Sequence, residues 1–357
     1  MLGGLNSGGL EHLVLDVFSN NNFSNVDFSC VYRNDGNLTE KFIETSIPII
    51  KIKPSKYNIL KYFKKFRNHI LSNNIDIIHA HLAIDAFYAY FALRNTKVKI
   101  LLTSHGYNFD GSYIFKKISR FALKNVDLNL FVSNALKNFY NKEYDLDTSK
   151  SITLYNGVSA SKLKITNSIN LKKEYNLPND SILIGMVSNF HGTGKDQITL
   201  CKAMKELKNK NIYLFLVGSY SNNNSYKDCY DYCKTNDLLP NVFFTGPSNK
   251  IADVISNFDC FTFSSNHDTF GIAIVEAMLL KIPTIINDIP PFLEISNNGA
   301  FSQIYKSKNV DDFILKLDNI IENDQKIAIE NAYTWAMSNF SIEKHIDNLN
   351  NIYSKFD

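Results

Sequence analysis

The chain has 357 residues, 45% hydrophobic and 20% charged, with a formal net charge of +3. Length alone suggests two domains, each large enough to bury its own core. No apolar run approaches the ~20 residues of a membrane span. The opening residues, MLGGLNSGGLEHLV, lack the basic-then-apolar order of a secretory leader, which points to the cytoplasm. Five cysteines, odd in number and without a zinc-type cluster, read as reduced thiols in the same compartment. The charge is uneven. Residues 1–158 carry 19 Lys and Arg against 13 Asp and Glu, and the remainder 19 against 22, hence +6 and −3. A basic half suits an anionic membrane or a phosphorylated acceptor, and a solvated surface of uneven charge accounts for it equally well.

Strand-like and helix-like stretches alternate almost throughout, the pattern of an α/β fold with parallel sheets. A glycine-rich start containing Gly8-Gly9 leads into an amphipathic helix, LEHLVLDVFSN, and VDFSCVY and PIIKIK follow as short strands. A helix from Tyr57 to Leu71 sets Lys61, Lys64, Lys65 and Arg67 beside Phe63, Phe66 and Ile70. That mixture fits a membrane interface, but a core-facing helix with a basic outer side is the preferred reading. DIIHAH (76–81) and VKILLTSHG (98–106) place His81 and His105 just past strand ends, where open α/β sheets bind ligands. LNLFVSNALKNF is a strand entering a helix, and SITLYNGVS ends the first half.

Residues 159 to about 180 are polar and weakly periodic, so the linker is placed there. A second α/β unit starts at SILIGMVSNF and continues into the glycine-rich loop HGTGKD, whose Lys195 can reach a phosphate. NIYLFLVGS, NVFFTG and DCFTFSS are its next strands. The informative stretch is 264–287, SSNHDTFGIAIVEAMLLKIPTIIN. A polar loop, Asn266 to Thr269, follows a strand, and Phe270-Gly271 opens an apolar helix that stops before Pro283 and a second strand. Asp268 and Glu276, eight residues apart, can border one cleft at the helix start. The N–H groups near Gly271 and Ile272 can cradle a diphosphate there. From Pro290 onward the chain reads as mostly helical.

This stretch resembles the nucleotide-sugar signature of retaining GT-B glycosyltransferases of the group 1 type. Phe270, Gly271, Glu276, Ala277, Met278 and Pro283 match, while Asp268 stands for a Glu and Thr269 for a Gly. The resemblance implies two Rossmann-like domains facing a central cleft: residues 1–160 on the acceptor side, 161–335 binding the donor, and a helix over 336–357 crossing back. It also implies that Glu276 holds the ribose hydroxyls and that Asp268 contacts the donor sugar. Lys195 and the backbone of Thr269, Phe270, Gly271 and Ile272 would face the sugar and phosphates. Gly8 and Gly9 would approach the diphosphate, and His105 would lie near the transferred sugar. Asn189 occupies the position of an expected phosphate-binding Arg, and Ser159 that of an acid after the hinge strand. His105, Asp268 and Lys195 are the catalytic candidates. No metal or other cofactor is expected.

The function so implied is transfer of a sugar from a nucleotide-diphosphate donor, UDP- or GDP-linked, to a glycan or lipid-linked acceptor in surface polysaccharide biosynthesis. Such an enzyme would work in the cytoplasm, with peripheral contact to an anionic membrane and no nucleic-acid partner. An epimerase on the same fold, or a nucleotide-sugar-binding partner weakened in transfer, are the alternatives. A nicotinamide dehydrogenase is disfavoured, because Gly3, Gly4, Gly8 and Gly9 do not give the G-x-G-x-x-G spacing. One expectation concerns Met1. Gly3 and Gly4 follow it almost at once, leaving no room for a first apolar strand, so the chain reads as incomplete at its start. A gap is expected beside the DIIHAH strand.

Overall fold

The computed structural model describes residues 1–20, 23, 26–55, 57–108, 111–190, 192, 194–207, 210–220 and 224–356. It divides into two compact units, Met1–Gly157 with Ile342–Asp357, and Val158–Ser341. The first crossing thus falls at Gly157, and the residues read as a linker pack within the second unit. The buried Asp253 carboxylate holds them. It accepts bonds from Thr166 N (2.6 Å), Asn167 N (3.0 Å) and Ser168 Oγ (2.6 Å). The Ser168 and Thr166 bonds keep its carboxyl well below the usual range.

The strands of the first unit are β1 (Leu2–Gly4), β2 (Cys30–Asn34), β3 (Ile49–Lys51), β4 (Ile77–Ala80), β5 (Lys99–Ser104), β6 (Leu128–Phe131) and β7 (Ser151–Thr153). All pairings are parallel, but the sheet lies in two pieces, β1-β2-β3 and β4-β5-β6-β7. A first strand therefore does form, contrary to the reading of the sequence. It is three residues long and pairs Leu2 with Tyr32 and Gly4 with Asn34. Pairing runs through the backbone, so two glycines can take part, and Leu2 supplies a buried apolar side chain.

Between the two pieces lies a cavity of about 460 Å³, with Leu2, Val14, Phe18, Cys30, Ile77 and His79 among its lining residues. The Met1 ammonium donates to the His79 carbonyl at 2.6 Å. Burial pushes its pKa down. The C-terminal helix, Ile342–Tyr353, belongs to this unit and puts Ile346, Leu349 and Tyr353 into the same core cluster as Leu13, Leu101 and Leu130.

The second unit has β8 (Ile182–Val187), β9 (Ile212–Val217), β10 (Val242–Gly246), β11 (Cys260–Phe263), β12 (Thr284–Asn287) and β13 (Gln303–Tyr305). They form one parallel sheet in the order β10-β9-β8-β11-β12-β13. β13 departs from the sequence reading because its three residues lie in a stretch that reads as mostly helical. The chain winds outward from β8 on one side and from β11 on the other. The loops leaving these two strands therefore diverge at a switch point, where ligands of such sheets bind. No helix of the described residues is long and apolar enough to cross a membrane.

The cavity yields a test. Val14 lines it from the helix Gly9–Ser19, so Val14→Phe should find room. In a filled core such a change costs about 1–3 kcal/mol. Here the melting temperature should hold or rise, and a fall of several degrees would show that the space is closed in solution.

Candidate active site

At the switch point of the second unit two loops are bound to each other. After β8 comes the glycine loop with Lys195; His191 and Thr193 of that loop lie outside the described residues. After β11 come the buried Ser264 and Ser265 and then the polar loop ending at Gly271. Ser265 Oγ donates to Gly194 O (2.7 Å), Asn266 N donates to the same carbonyl (3.0 Å), and Asp196 N donates to Ser264 O (3.1 Å). Asp196, itself buried, accepts from Ser264 Oγ (3.0 Å) and Thr199 Oγ1 (2.7 Å).

Asn287, the last residue of β12 and fully buried, closes the arrangement from the neighbouring strand. Its Oδ1 accepts from Ser265 N (3.0 Å), and its Nδ2 donates to Ser265 O (2.8 Å) and to Ser307 Oγ (2.8 Å). A side-chain amide thus replaces a strand partner where the sheet has ended. Neither Ser265 nor Asn287 is marked by the sequence as a tie between loops: Ser265 closes one strand-like run and Asn287 ends another.

This packing brings two of the candidates together. Lys195 Nζ forms an ion pair with Asp268 Oδ2, both side chains being less than one-fifth exposed, and sits 4.8 Å from the Phe263 ring centre. The other Asp268 oxygen accepts from Thr269 N (2.7 Å) and Phe270 N (3.4 Å). Phe270 itself is core, its ring edge-on to Phe340 at 5.5 Å.

Gly271 caps the helix Ile272–Leu279 with φ 109°. A Cβ there would adopt the left-handed region and stand 2.9 Å from Ile274 Cδ1, so the position requires glycine. Glu276 lies in the second turn, half-buried, and has no hydrogen-bond or ion-pair partner among the described residues. Burial pushes its carboxyl pKa up to about 7.

The remaining candidates are placed differently. Asn189 is exposed, and its Oδ1 accepts from Ser219 N at 2.8 Å, so the side chain ties the ends of β8 and β9 together. Gly8 and Gly9 do open a helix, Gly9–Ser19, but a Cβ at Gly8 would stand 2.6 Å from the Glu11 carboxylate. His105 follows β5 in the first unit, with Nε2 3.1 Å from Nδ1 of His81. Burial drives its pKa down to about 3. One acidic tripeptide of the type that bridges a metal to phosphate does occur, Asp145-Leu146-Asp147. It serves the backbone instead: Asp145 ends a helix in the left-handed region, and Asp147 accepts from Ser149 N at 3.0 Å. Among the described residues no cluster of three His, Cys, Asp or Glu is arranged to hold a metal.

Two family models match the chain: Glycosyltransferase Family 4 over residues 8–162, and Glycosyl transferases group 1 over residues 167–335. The chain belongs to these glycosyltransferases. The UDP-Gal:alpha-D-GlcNAc-diphosphoundecaprenol alpha-1,3-galactosyltransferase of Escherichia coli is 23% identical over 370 residues, 97% of this chain and 93% of that protein. The N-acetyl-alpha-D-glucosaminyl L-malate synthase of Bacillus anthracis is 25% identical over 300 residues, 78% of this chain and 74% of its own. Among solved structures, a glycosyltransferase from Rickettsia africae ESF-5 superposes with a TM-score of 0.85 at 22% identity, covering 99% of this chain and 97% of that one. Anabaena HepE, in complex with UDP and glucose, gives 0.82 at 17% identity over 99% and 98%. The fold of this glycosyltransferase is GT-B.

The loop staple is testable. Asn287→Leu leaves Ser265 N–H and C=O buried without partners, at about 1–3 kcal/mol for each orphaned group. Urea denaturation should show a loss of that order; an unchanged unfolding free energy would mean that the two loops are held by other contacts.

Proposed function

We propose that this glycosyltransferase takes a sugar from a nucleotide-diphosphate donor and transfers it, with retention, to a glycan or lipid-linked acceptor in surface polysaccharide biosynthesis. The observation that carries the proposal is the Lys195–Asp268 pair held over a glycine-capped helix start, with an unpartnered carboxyl in the second turn. Negative charge grows on the leaving phosphate as the glycosidic bond breaks. Lys195 and the free N–H groups of the first helical turn offset that charge without a metal. When the phosphates draw Lys195 away, Asp268 Oδ2 turns to the sugar hydroxyls. Glu276 accepts the ribose hydroxyls once it is ionised.

In the retaining course the acceptor oxygen bonds to the anomeric carbon on the face that the phosphate leaves, and the acceptor proton passes to the departing phosphate oxygen. No protein nucleophile is needed. His105 is assigned to the transferred sugar. UDP is the favoured carrier, in keeping with the UDP in the HepE complex and in the name of the E. coli galactosyltransferase. The surface-polysaccharide setting is supported by relatives named for O-antigen and capsular biosynthesis.

A peripheral membrane contact belongs to the same proposal. The helices Ile59–Ser72 and Tyr113–Asn125 both pack against Ala83–Leu93 in the first unit. The first of them buries Tyr62, Phe66 and Ile70, as its core-facing reading requires. Yet Tyr57 and Leu60 at its start, and Tyr113 and Ile114 on the other helix, are largely exposed, at 99%, 75%, 72% and 69%. The exposed Lys61, Lys64, Lys65, Lys116, Lys117 and Arg120 lie among them. Aromatic tips with basic neighbours match an anionic lipid surface.

Three measurements test the proposal. Hydroxyls bind the ionised Glu276, so a carboxyl pKa of about 7 makes affinity for the intact nucleotide sugar rise with pH. Between pH 6 and pH 8 calorimetry should show about tenfold tighter binding, and Glu276→Gln should flatten the profile. A flat wild-type profile would remove Glu276 from the donor site. With product followed as well, Lys195→Ala should abolish most transfer; donor binding without any product in the wild type would favour a non-transferring partner. Separately, the protein should bind phosphatidylglycerol vesicles in low salt and release them in high salt. Equal retention on neutral vesicles would turn the proposal toward a soluble acceptor.

A further inference from the structure

We propose that the cavity of the first unit is a binding site for one extended apolar peptide, which enters as a strand between β2 and β4 and ends there in a free carboxylate. This site is separate from the candidate donor site and independent of the function proposed for it.

Strand register defines the site. β1 pairs with β2, Leu2 opposite Tyr32, and the Met1 ammonium donates to the His79 carbonyl of β4 at 2.6 Å. β1 therefore lies between β2 and β4, but only beside their C-terminal ends. Counting back from Leu2, Met1 comes opposite Val31, and no residue of β1 stands opposite Phe28, Ser29 or Cys30. On the far side of the interval β4 is paired with β5 alone. The cavity of about 460 Å³ occupies this interval, with Phe28, Ser29, Cys30, Asp76, Ile77 and Ile78 among its lining residues. Three strand positions at ~3.3 Å each span ~10 Å.

The two edges of the interval are backbone. Along a parallel ladder successive residues turn their N–H and C=O groups to alternate sides. Cys30 N donates away from the interval, to Pro48 O at 2.8 Å, and Asp76 O accepts from Lys99 N at 2.8 Å on the β5 side. Their neighbours Ser29 and Ile77 hence turn their groups into the interval from opposite edges. A strand laid between them pairs with both. A lipid chain or an aromatic ring has no groups with which to do so.

The ends and walls specify the peptide further. A strand parallel to β2 and β4 brings its C-terminal end to Met1. The ammonium there is buried, which lowers its pKa, and among the described residues no carboxylate is in direct contact with it. A terminal carboxylate supplies that anion. Leu13, Val14 and Phe18 line the space from the helix Gly9–Ser19, and Leu349 from the C-terminal helix, so the side chains that fit are apolar. At the opposite end Asp27, Asn73, Asn74 and Asp76 are exposed around the mouth, which favours a basic residue at the point of entry. The ligand class is thus a basic residue, about three apolar β-branched residues and a free carboxylate.

The probe is the synthetic peptide acetyl-Lys-Val-Ile-Val with a free C-terminus, titrated into the full chain by calorimetry and followed by melting temperature. It should bind one to one and raise the melting temperature by several degrees at saturation. The C-terminal amide should bind about tenfold or more weakly, because the ammonium then lacks its counter-ion. Proline in place of the central isoleucine keeps an apolar ring but removes an N–H, and should weaken binding at least as much. Val14→Phe, whose ring takes up the space, should also lose about tenfold or more in affinity. Amide exchange at Ser29 and Ile77 should slow when the peptide is bound. No heat and no change in melting temperature would overturn the proposal, and so would equal affinity for the peptide and its proline variant, a comparison that needs no change to the protein. Decanoate binding as tightly as the peptide would overturn it as well, since a fatty acid carries the charge and the apolar chain but no groups for strand edges. Undiminished binding to a folded Val14→Phe would place the peptide elsewhere and likewise overturn it.

Discussion

The candidate donor site depends on a carbonyl and a carboxamide: Gly194 O, which gathers Ser265 Oγ and Asn266 N, and the Asn287 side chain, which pairs with both backbone groups of Ser265. Where strands end, their last N–H and C=O groups lose ladder partners while still buried. Here that deficit is met by crossing bonds between the loop after β8 and the loop after β11. The same bonds fix the distance between Lys195 and Asp268. The ion pair is therefore a consequence of how the backbone is satisfied. A charge pair alone, with a flexible lysine as one member, would contribute little order.

The first unit solves a similar problem differently. Its sheet is in two pieces with a cavity between them, so the polar groups facing β4 have fewer backbone partners. Side chains take over, with His79 joined to Thr103 and Tyr353, and the Met1 ammonium placed on the His79 carbonyl. Among the described residues no carboxylate is in direct contact with this buried ammonium, and burial lowers its pKa. Tyr353 binds the histidine face from the last helix, so residues at both ends of the sequence converge on β4.

How much of this the sequence disclosed follows from the range of each interaction. The alternation of strands and helices, the helix start at Phe270-Gly271 and the two acids are local patterns, and period and capping chemistry reveal them. β13, three residues in a helix-rich stretch, is made by its neighbour β12 and carries no local signal. Asn287, Ser265 and the pairing of His81 with His105 depend on register between strands far apart in the chain. Composition indicates histidines at strand ends, but only the register shows which ring meets which. Asn189 is a further case: the family resemblance implies a cation at its position, whereas the structure shows a bond from Ser219 N that gives the amide its own use.

Asp268 in place of a glutamate shows how one methylene changes a site. An aspartate can accept from the backbone N–H groups just after it, because its short side chain folds back over its own turn. Oδ1 does so with Thr269 N and Phe270 N, and Oδ2 meets Lys195. The longer glutamate side chain would carry its carboxylate past those N–H groups and leave them to water or ligand. The shorter acid thus trades reach for fixation: it forms part of the loop before the donor arrives. One oxygen stays with the backbone, and only the oxygen that holds Lys195 can be offered to a sugar hydroxyl. On the proposed function, phosphate binding and sugar recognition would be coupled as a result, since the cation would have to leave Asp268 for the phosphates before that oxygen could turn to the sugar.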